Sequence, residues 1–247
     1  MSESISVFMP AFNDEGTIAG LVGDALAVLP ALADDYEVVV VNDGSTDGTA
    51  AVLEELARGE PRLRVVQHEV NRGYGAALRT GFASATKELV FYTDGDGQYD
   101  VRELAKLRPL LAGGVDIVNG YKIKRADGWQ RKALGAAYNR LAHLLFSIPI
   151  RDVDCDFRLL RRRAFEGVEL SSSSGSICVE MIHKLHRAGR VFAEVPVNHY
   201  PRAHGRSQFL TAARVSRTAL DLLSLWLRAG APSRLLRRGA RARVPSA

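Results

Sequence analysis

Two aspartates one residue apart, Asp94 and Asp96, follow the apolar run Leu89-Val90-Phe91-Tyr92 and stand among glycines, with Gln98 two positions further on. The run reads as a buried strand. In extended chain every second side chain points the same way, so these three oxygen-bearing groups share a side. Gly95 and Gly97 let the backbone bend and approach a ligand closely. Hard oxygen donors at the end of a strand suit Mg²⁺ or Mn²⁺ carrying phosphates. Asp and Gly are also ordinary turn residues, so an acidic strand-to-helix turn fits the same stretch. Taken alone, the stretch leaves both readings open.

Three more polar stretches follow apolar runs in the same manner. Pro10-Ala11-Phe12-Asn13-Asp14-Glu15 comes after Ile5–Met9, Asn42-Asp43-Gly44-Ser45-Thr46-Asp47-Gly48-Thr49 after Glu37–Val41, and Asn71-Arg72-Gly73-Tyr74-Gly75 after Leu63–Gln67. Each could be a loop with helix caps, a role that suits Ser45, Thr46 or Asp47. Phe12 could stack on a base, Asp43 could accept from a base N–H, and Arg72 with the glycine backbone after it could face phosphate. No GxxxxGK[ST] and no GxGxxG occurs, which argues against a P-loop and against hydride chemistry on a dinucleotide.

The elements that must position these residues alternate strand and helix. Strands are expected at Ile5–Met9, Glu37–Val41, Leu63–Gln67, Glu88–Tyr92 and Val115–Asn119, with helices at Glu15–Leu29, Asp47–Arg58, Gly73–Ala85 and Val101–Leu111. The β-branched run Glu37–Val41 suits a parallel strand covered on both faces. This rhythm predicts an α/β fold with a parallel sheet, right-handed crossovers and ligands at the carboxyl ends of the strands. Further on, helices are expected at Trp129–Phe146, Val179–Ala188 and Gln208–Arg228, with a strand at Val191–Val197.

The series PAFNDEGTI, VVVNDGSTDGT, NRGYGAALRTGF and FYTDGDGQYD, in this order and spacing, resembles the family 2 glycosyltransferases of the GT-A fold. Within them it is most similar to the dolichyl- and polyprenyl-phosphate sugar synthases, over roughly residues 4–210. The resemblance implies a Rossmann-like, mainly parallel sheet flanked by helices. It also implies a nucleotide-diphospho-sugar donor (UDP- or GDP-sugar), transfer with inversion, and Mg²⁺ or Mn²⁺ on the diphosphate. By position, Pro10, Phe12, Asn13 and Glu15 would line the nucleoside pocket and Asp43 would read the base. Arg72, Gly73 and Gly95 would meet the donor, and Asp94, Asp96 and Gln98 would hold the metal. Gly120-Tyr121-Lys122 resembles the family's Gly-Ser-Arg, and the basic loop of Lys122, Lys124, Arg125, Arg131 and Lys132 would bind donor or acceptor phosphates. Tyr200–Ser207 resembles the family's R-x-x-G-x-S loop, which gives Arg202, His204, Arg206 and Ser207 phosphate contacts and the task of excluding water.

One motif departs from the family pattern. Asp152-Val153-Asp154-Cys155-Asp156-Phe157-Arg158 matches D-x-x-[SC]-G-F-[RK], except that Asp156 stands where the family has glycine. Asp152, with Asp154 behind it, is the expected carboxylate for orienting the acceptor or acting as base. The plainer alternative is a polar turn with a salt bridge to Arg151 or Arg158. Cys155 reads as a small packing residue, because no activating cluster surrounds it. His183 and His186 can share a helix face, yet exposed or capping roles suit them better than a metal pair. A sugar-nucleotide nucleotidyltransferase would open with a glycine-rich, basic loop after its first strand, which Pro10–Glu15 is not.

Composition sets the outer bounds. The chain has 247 residues, 47% of them hydrophobic, enough for one large domain, expected over residues 1–210. No apolar run reaches membrane-spanning length, and no basic-then-apolar leader precedes Ile5. The two cysteines form no CxxC, which suits a reduced, cytoplasmic setting. Ten arginines against one acid, Asp221, in Arg202–Ala247 leave the preceding residues net negative within an overall +5. Residues 211–247 are therefore expected to be an amphipathic helix and basic tail. Within Gln208–Arg228 an apolar side of Leu220, Leu222, Leu223, Leu225, Trp226 and Leu227 opposes Arg214, Arg217 and Asp221. That side could pack on the sheet, pair two copies as a homodimer, or touch the inner face of a membrane through residues 208–243. The expected partners are the donor and either a lipid phosphate or a small-molecule or glycan acceptor, with no nucleic acid.

Overall fold

The computed structural model describes residues 3–123, 129–202 and 212–228. Seven strands form one sheet: β1 Ile5–Ala11, β2 Tyr36–Asp43, β3 Leu63–His68, β4 Leu89–Thr93, β5 Ile117–Lys122, β6 Phe157–Arg161 and β7 Phe192–Val197, in the order β3-β2-β1-β4-β6-β5-β7. β3, β2, β1 and β4 run parallel, as do β5 and β7. β6 runs antiparallel to both its neighbours, β4 and β5. The carboxyl ends of the six like-directed strands therefore share one edge with the amino end of β6. That arrangement brings the acid-rich stretch before Phe157 to the edge that carries the other polar loops.

Alternation along the strands divides the core between two faces. Ile5, Val7 and Met9 of β1, with Val38 and Val40 of β2, pack beneath α1 Ile18–Val28 and α2 Thr49–Gly59. Phe8, Val39, Val90 and Tyr92 face the opposite way. They join a second core with α3 Tyr74–Ser84, α5 Trp129–Phe146, α6 Ile177–Arg187 and α7 Ala212–Arg228. Phe8 and Tyr92 stack at 5.3 Å between ring centres, with Phe82 edge-on to both. On α7, Leu222 and Leu225 are buried in this second core, whereas Leu220, Leu223 and Leu227 are exposed at 66%, 49% and 65%. The helix thus packs on the body and still presents an apolar stripe outward.

Two expectations need correction. The helix expected over Val101–Leu111 is a short α4, Leu104–Leu107, between 3₁₀ turns at Val101–Glu103 and Arg108–Leu111. Pro109 accounts for the break, because its ring has no N–H to donate and crowds the preceding turn. The parallel series also lacked β6. Phe157-Arg158-Leu159-Leu160-Arg161 does not show the usual strand alternation, since its arginine at 158 is fully buried. The interior fixes that strand by binding its charge.

α6 carries a second buried ion. Glu180 accepts hydrogen bonds from the N–H of Ser171 (3.0 Å) and of Ser172 (2.7 Å), from the Ser171 hydroxyl (2.8 Å), and from Lys184 Nζ (2.6 Å). Burial alone would raise its pKa, but the bonds from Lys184, Ser172 and Ser171 outweigh that and hold it at about 2. The folded carboxyl gives up its proton more readily than the unfolded one. Its contribution is therefore complete above the ordinary carboxylate range and is lost as pH falls toward 2. At neutral pH, Glu180→Gln should cost about 2 kcal/mol. In thermal unfolding followed from about pH 6 to about pH 2.5, wild type and variant should converge. A gap that stays constant over that range would show that the serine loop does not need the charge.

Candidate functional site

Polar loops on the shared sheet edge are laced to one another before any ligand is considered. Asn13 adopts a left-handed conformation (φ 57°), which asparagine tolerates, and its Oδ1 accepts from Thr46 N at 2.8 Å. Asn13 N donates to Ser45 Oγ at 3.0 Å, and Asp14 N to Thr49 Oγ1 at 3.0 Å. Glu15 Oε2 accepts from Gly48 N at 2.7 Å. The loop after β1 is thereby fixed to the loop after β2. Pro10 lies buried in β1 and its carbonyl accepts from Gly95 N at 3.2 Å, while Thr17 Oγ1 donates to the Gly95 carbonyl at 2.8 Å. A Cβ at residue 95 would lie 2.7 Å from the Pro10 oxygen, so glycine allows this close approach. Phe12 is half-buried beside it.

Asp43 is buried and serves as the hub of the next loop. Its Oδ1 accepts from His68 Nδ1 (2.6 Å) and Arg72 N (2.9 Å), and its Oδ2 from Gly73 N (2.9 Å). His68 reaches Thr80 Oγ1 on α3 at 3.0 Å through its other nitrogen. Reading a base was the expected role of Asp43, yet its oxygens already hold three protein donors. Arg72 contributes its backbone to this hub, and its side chain is exposed. Gly73, at φ 93°, brings the chain against the Ser173 carbonyl, which would lie 2.7 Å from any Cβ there.

Beyond β4 the acidic centre forms. Asp94 accepts from the Tyr74 hydroxyl at 2.7 Å. Asp96 Oδ1 accepts from Gln98 N at 3.0 Å, and its Oδ2 is paired with the Arg202 guanidinium. Gln98 anchors the chain that delivers this arginine: its Nε2 donates to the Tyr200 carbonyl at 3.1 Å, and Tyr200 N donates to the Gln98 carbonyl at 2.8 Å. Burial, with Asp156 and Asp96 alongside, raises Asp94 well above the usual carboxylate range. Burial, with Asp96 nearby, pushes Asp14 up to about 6. Among the described residues, no three His, Cys, Asp or Glu side chains are arranged to hold a metal unaided. Asp94 and Asp96 supply two carboxylates where negative charge accumulates and a guanidinium already answers it. This donor set fits Mg²⁺, which is characteristically held by one or two carboxylates together with substrate phosphates.

A buried cation, Arg158, stands behind the acidic centre. It bonds the Tyr92 hydroxyl on β4, Asn119 Oδ1 on β5, the Val153 carbonyl and, at 3.0 Å, Asp156 Oδ1. Lys122, at the end of β5, lies 3.8 Å from Asp152 and 3.7 Å from Asp154 and donates to the Asp154 carbonyl. The salt bridge anticipated for Asp152 is therefore made with Lys122, while Arg151 turns to Glu194 (3.6 Å) and Arg158 to Asp156. Asn139 on α5 stitches the loop down through the Arg151 carbonyl (2.6 Å) and Val153 N (3.1 Å). Tyr121, Lys122, Lys132, Asn139, Arg151 and Asp152 line a pocket of about 320 Å³ here. Burial pushes the Cys155 thiol up to about 12, which suits packing and not nucleophilic attack.

The glycosyl transferase family 2 model matches residues 6–168, running from the second residue of β1 through β6. This chain belongs to glycosyl transferase family 2. Its GT-A fold agrees with solved structures of glucosyl-3-phosphoglycerate synthase from Mycobacterium tuberculosis. One, in complex with Mn²⁺, UDP and phosphoglyceric acid, gives a TM-score of 0.70 at 22% identity over 94% of this chain and 80% of that one. Another, with Mg²⁺ and UDP, gives 0.65 at 21% over 94% and 81%. In sequence it is similar to undecaprenyl-phosphate 4-deoxy-4-formamido-L-arabinose transferases. Identity is 29% with that of Aeromonas hydrophila subsp. hydrophila and 30% with that of Enterobacter sp. (strain 638). Each match covers 83% of this chain and 62% of the relative, so the chain spans less than two thirds of those proteins.

For a family 2 glycosyltransferase, the expected site residues from Pro10 to Asp96, together with Lys122, Asp152, Asp154 and Arg202, gather at one sheet edge. Arg206 and Ser207 lie outside the described residues, as do Lys124, Arg125 and His204; of Arg131 only its place in the first turn of α5 is described. Sequence reasoning missed the structural parts of Tyr74, Tyr92, Asn119 and Arg158. Only the buried arginine left a signal, as a charge interrupting an apolar strand.

Removing the hub carboxylate leaves the Arg72 and Gly73 N–H groups and His68 without their acceptor. Asp43→Ala should therefore cost about 2–3 kcal/mol, a fall in melting temperature of roughly 5–10 °C. Amide exchange at Arg72 and Gly73 should speed up well beyond that global change. Unaltered exchange at those two amides would refute the assignment.

Proposed function

We propose that this chain is a metal-dependent, inverting glycosyltransferase that moves a sugar from a nucleoside-diphospho-sugar to a polyprenyl phosphate at a membrane surface. The observation that carries the reading is the placement of the Asp94–Asp96 pair and the basic pocket on either side of the β6 entry. A donor centre and an acceptor centre would thus meet across one strand. Asp94 and Asp96 are the residues that would hold Mg²⁺ or Mn²⁺, and the bound cation would neutralise charge developing on the departing diphosphate. Support for a divalent cation and a uridine nucleotide comes from the mycobacterial structures, which contain Mn²⁺ or Mg²⁺ with UDP.

Lys122, Lys132 and Arg151 set three cations against one carboxylate, Asp152, in the acceptor pocket. Such a lining suits a phosphate monoester. A phosphate oxygen is already an anionic nucleophile and needs no base, so Asp152 would serve by fixing Lys122 and orienting the acceptor. One in-line displacement inverts the anomeric centre. The undecaprenyl-phosphate transferases among the relatives support this acceptor class. Because Asp152 lines the pocket, a hydroxyl acceptor with Asp152 as base is the second reading.

The outward stripe Leu220, Leu223 and Leu227 would bring the pocket to the lipid from the membrane surface. Among the described residues, no helix is long and apolar enough to cross a membrane. Peripheral contact through residues 208–243, at the inner face, suits the arginines that follow α7. A homodimer through the same stripe would instead show as a doubled mass in solution, abolished by Leu223→Gln.

With Mn²⁺ present, UDP or GDP at about 100 times its Kd should stabilise the protein by about 2.7 kcal/mol, a rise of several degrees in melting temperature. Omitting Mn²⁺, or replacing Asp96 with Ala, should remove most of that rise. A full shift in Asp96→Ala would overturn the metal assignment. Sugar transfer should occur to undecaprenyl phosphate and not to undecaprenol, and Lys132→Ala should raise the KM for the lipid about tenfold. Equal turnover of the free alcohol would move the reading to a hydroxyl acceptor.

A further inference from the structure

Asp156 is the carboxylate that departs from the family's glycine, and neither the donor nor the acceptor reading uses it. β4 and β6 pair antiparallel with Tyr92 opposite Arg158 and Thr93 opposite Phe157. Carried one residue further, this register sets Asp156 across from Asp94. The Asp156 side chain is held by a single oxygen. Oδ1 takes Arg158 Nη1 at 3.0 Å, the Tyr92 hydroxyl at 3.3 Å and Cys178 Sγ at 3.2 Å. Oδ2 takes none of these bonds, and it is not among the buried polar atoms sealed without a partner, so it remains accessible. The residue as a whole is only 8% exposed. Tyr74 donates to Asp94 at 2.7 Å, and burial together with the charges of Asp156 and Asp94 holds its hydroxyl well above the usual range.

Two ligand parts could meet such an oxygen. The donor's diphosphate is anionic and would be repelled by it. Among the described residues no three carboxylates are arranged to hold one cation, and moving Asp156 closer to Asp94 would break the bonds of its Oδ1 to Arg158, Tyr92 and Cys178. A sugar hydroxyl is a donor and would satisfy the oxygen directly, at charge-assisted strength. A sugar carboxylate would instead add a further anion near Asp94, which Asp156, Asp96 and Asp14 already crowd.

We infer that Asp156 Oδ2 accepts a hydrogen bond from a hydroxyl of the donor's sugar ring, and that it selects neutral, hydroxylated sugars over uronic acids. The inference rests on the proposed donor site and names the class of sugar that site takes. Asp156 would act as a specificity-determining residue in direct contact with substrate. Its effect would appear in the sugar portion of the donor and not in the nucleotide.

The test is calorimetric titration of the full chain in Mn²⁺ with UDP, UDP-glucose and UDP-glucuronic acid, with GDP, GDP-mannose and GDP-mannuronic acid as the parallel set. Wild type should bind the neutral sugar nucleotide about tenfold or more tightly than the uronate. Asp156→Asn keeps an oxygen for Arg158, Tyr92 and Cys178 and replaces Oδ2 with a donor. It should reduce that preference to about threefold or less, with the affinity for UDP or GDP alone unchanged. Asp156→Gly, which restores the family's residue, should do the same. Equal binding of neutral and acidic sugars by wild type would overturn the inference, whether or not the variants fold. So would a variant that weakens nucleotide and sugar nucleotide alike, since that is the signature of a purely structural residue. Absence of binding by every nucleotide would instead overturn the donor site itself, and this inference with it.

Discussion

A single buried guanidinium holds the two halves of the site in register. Arg158 lies wholly inside the protein, and a charge there is tolerated only when its donors are met by well-placed acceptors. The acceptors come from three places: Tyr92 on β4, Asn119 on β5, and Asp156 with the Val153 carbonyl in the loop entering β6. β4 leads into the Asp94–Asp96 pair, β5 ends at Lys122, and the loop carries Asp152 and Asp154. One ion thus ties together the strand of the acidic centre, the strand of the basic pocket and the segment between them. Replacing it with an apolar residue would leave Asp156 as an uncompensated charge beside Asp94, so fold and site electrostatics cannot be separated here.

The same logic runs through the rest of the edge. Carboxylates bind backbone N–H groups in several loops: Asp43 those of Arg72 and Gly73, Glu15 that of Gly48, Glu180 those of Ser171 and Ser172. Each converts a flexible connection into a fixed wall by satisfying donors that would otherwise need water. Around Asp94 and Asp14, burial and neighbouring carboxylates outweigh the bonds from the Tyr74 hydroxyl and the Phe12 N–H, so their protons are held more tightly and a cation is favoured. The site is built from both kinds of acid, and position along the loops decides which is which.

Much of this was legible in the sequence because it follows from local pattern. Short apolar runs located β1 to β4, with an unbroken β-branched run only in β2, and the polar stretch after each run located the edge. What could not be read was anything set by contact between distant segments. The antiparallel β6 was hidden because Arg158 breaks strand alternation, and only the pairing of Tyr92, Asn119 and Asp156 around it makes burial of that charge tolerable. The helix expected at Val101–Leu111 failed at Pro109, a local signal outweighed in the reading by the apolar spacing. Asp43, Asn13 and Glu15 were placed at the correct edge. Their observed bonds bind loop to loop, a distinction that residue type alone does not reveal.

The position of β6 also bears on the order in which the molecule can be assembled. β1 to β4 are joined by local crossovers and can add to one another in the sequence in which they leave the ribosome. β5 cannot join them directly, because its place beside β4 is taken by a strand that begins 35 residues after β5 ends. The gap stays open until Phe157–Arg161 has been made and threaded between two existing edges. Long-range closures of this kind are slow steps. The half of the sheet that ends in the acidic centre can therefore mature early, whereas the half that ends in the basic pocket exists only after the last central strand arrives, bringing its arginine to lock the seam.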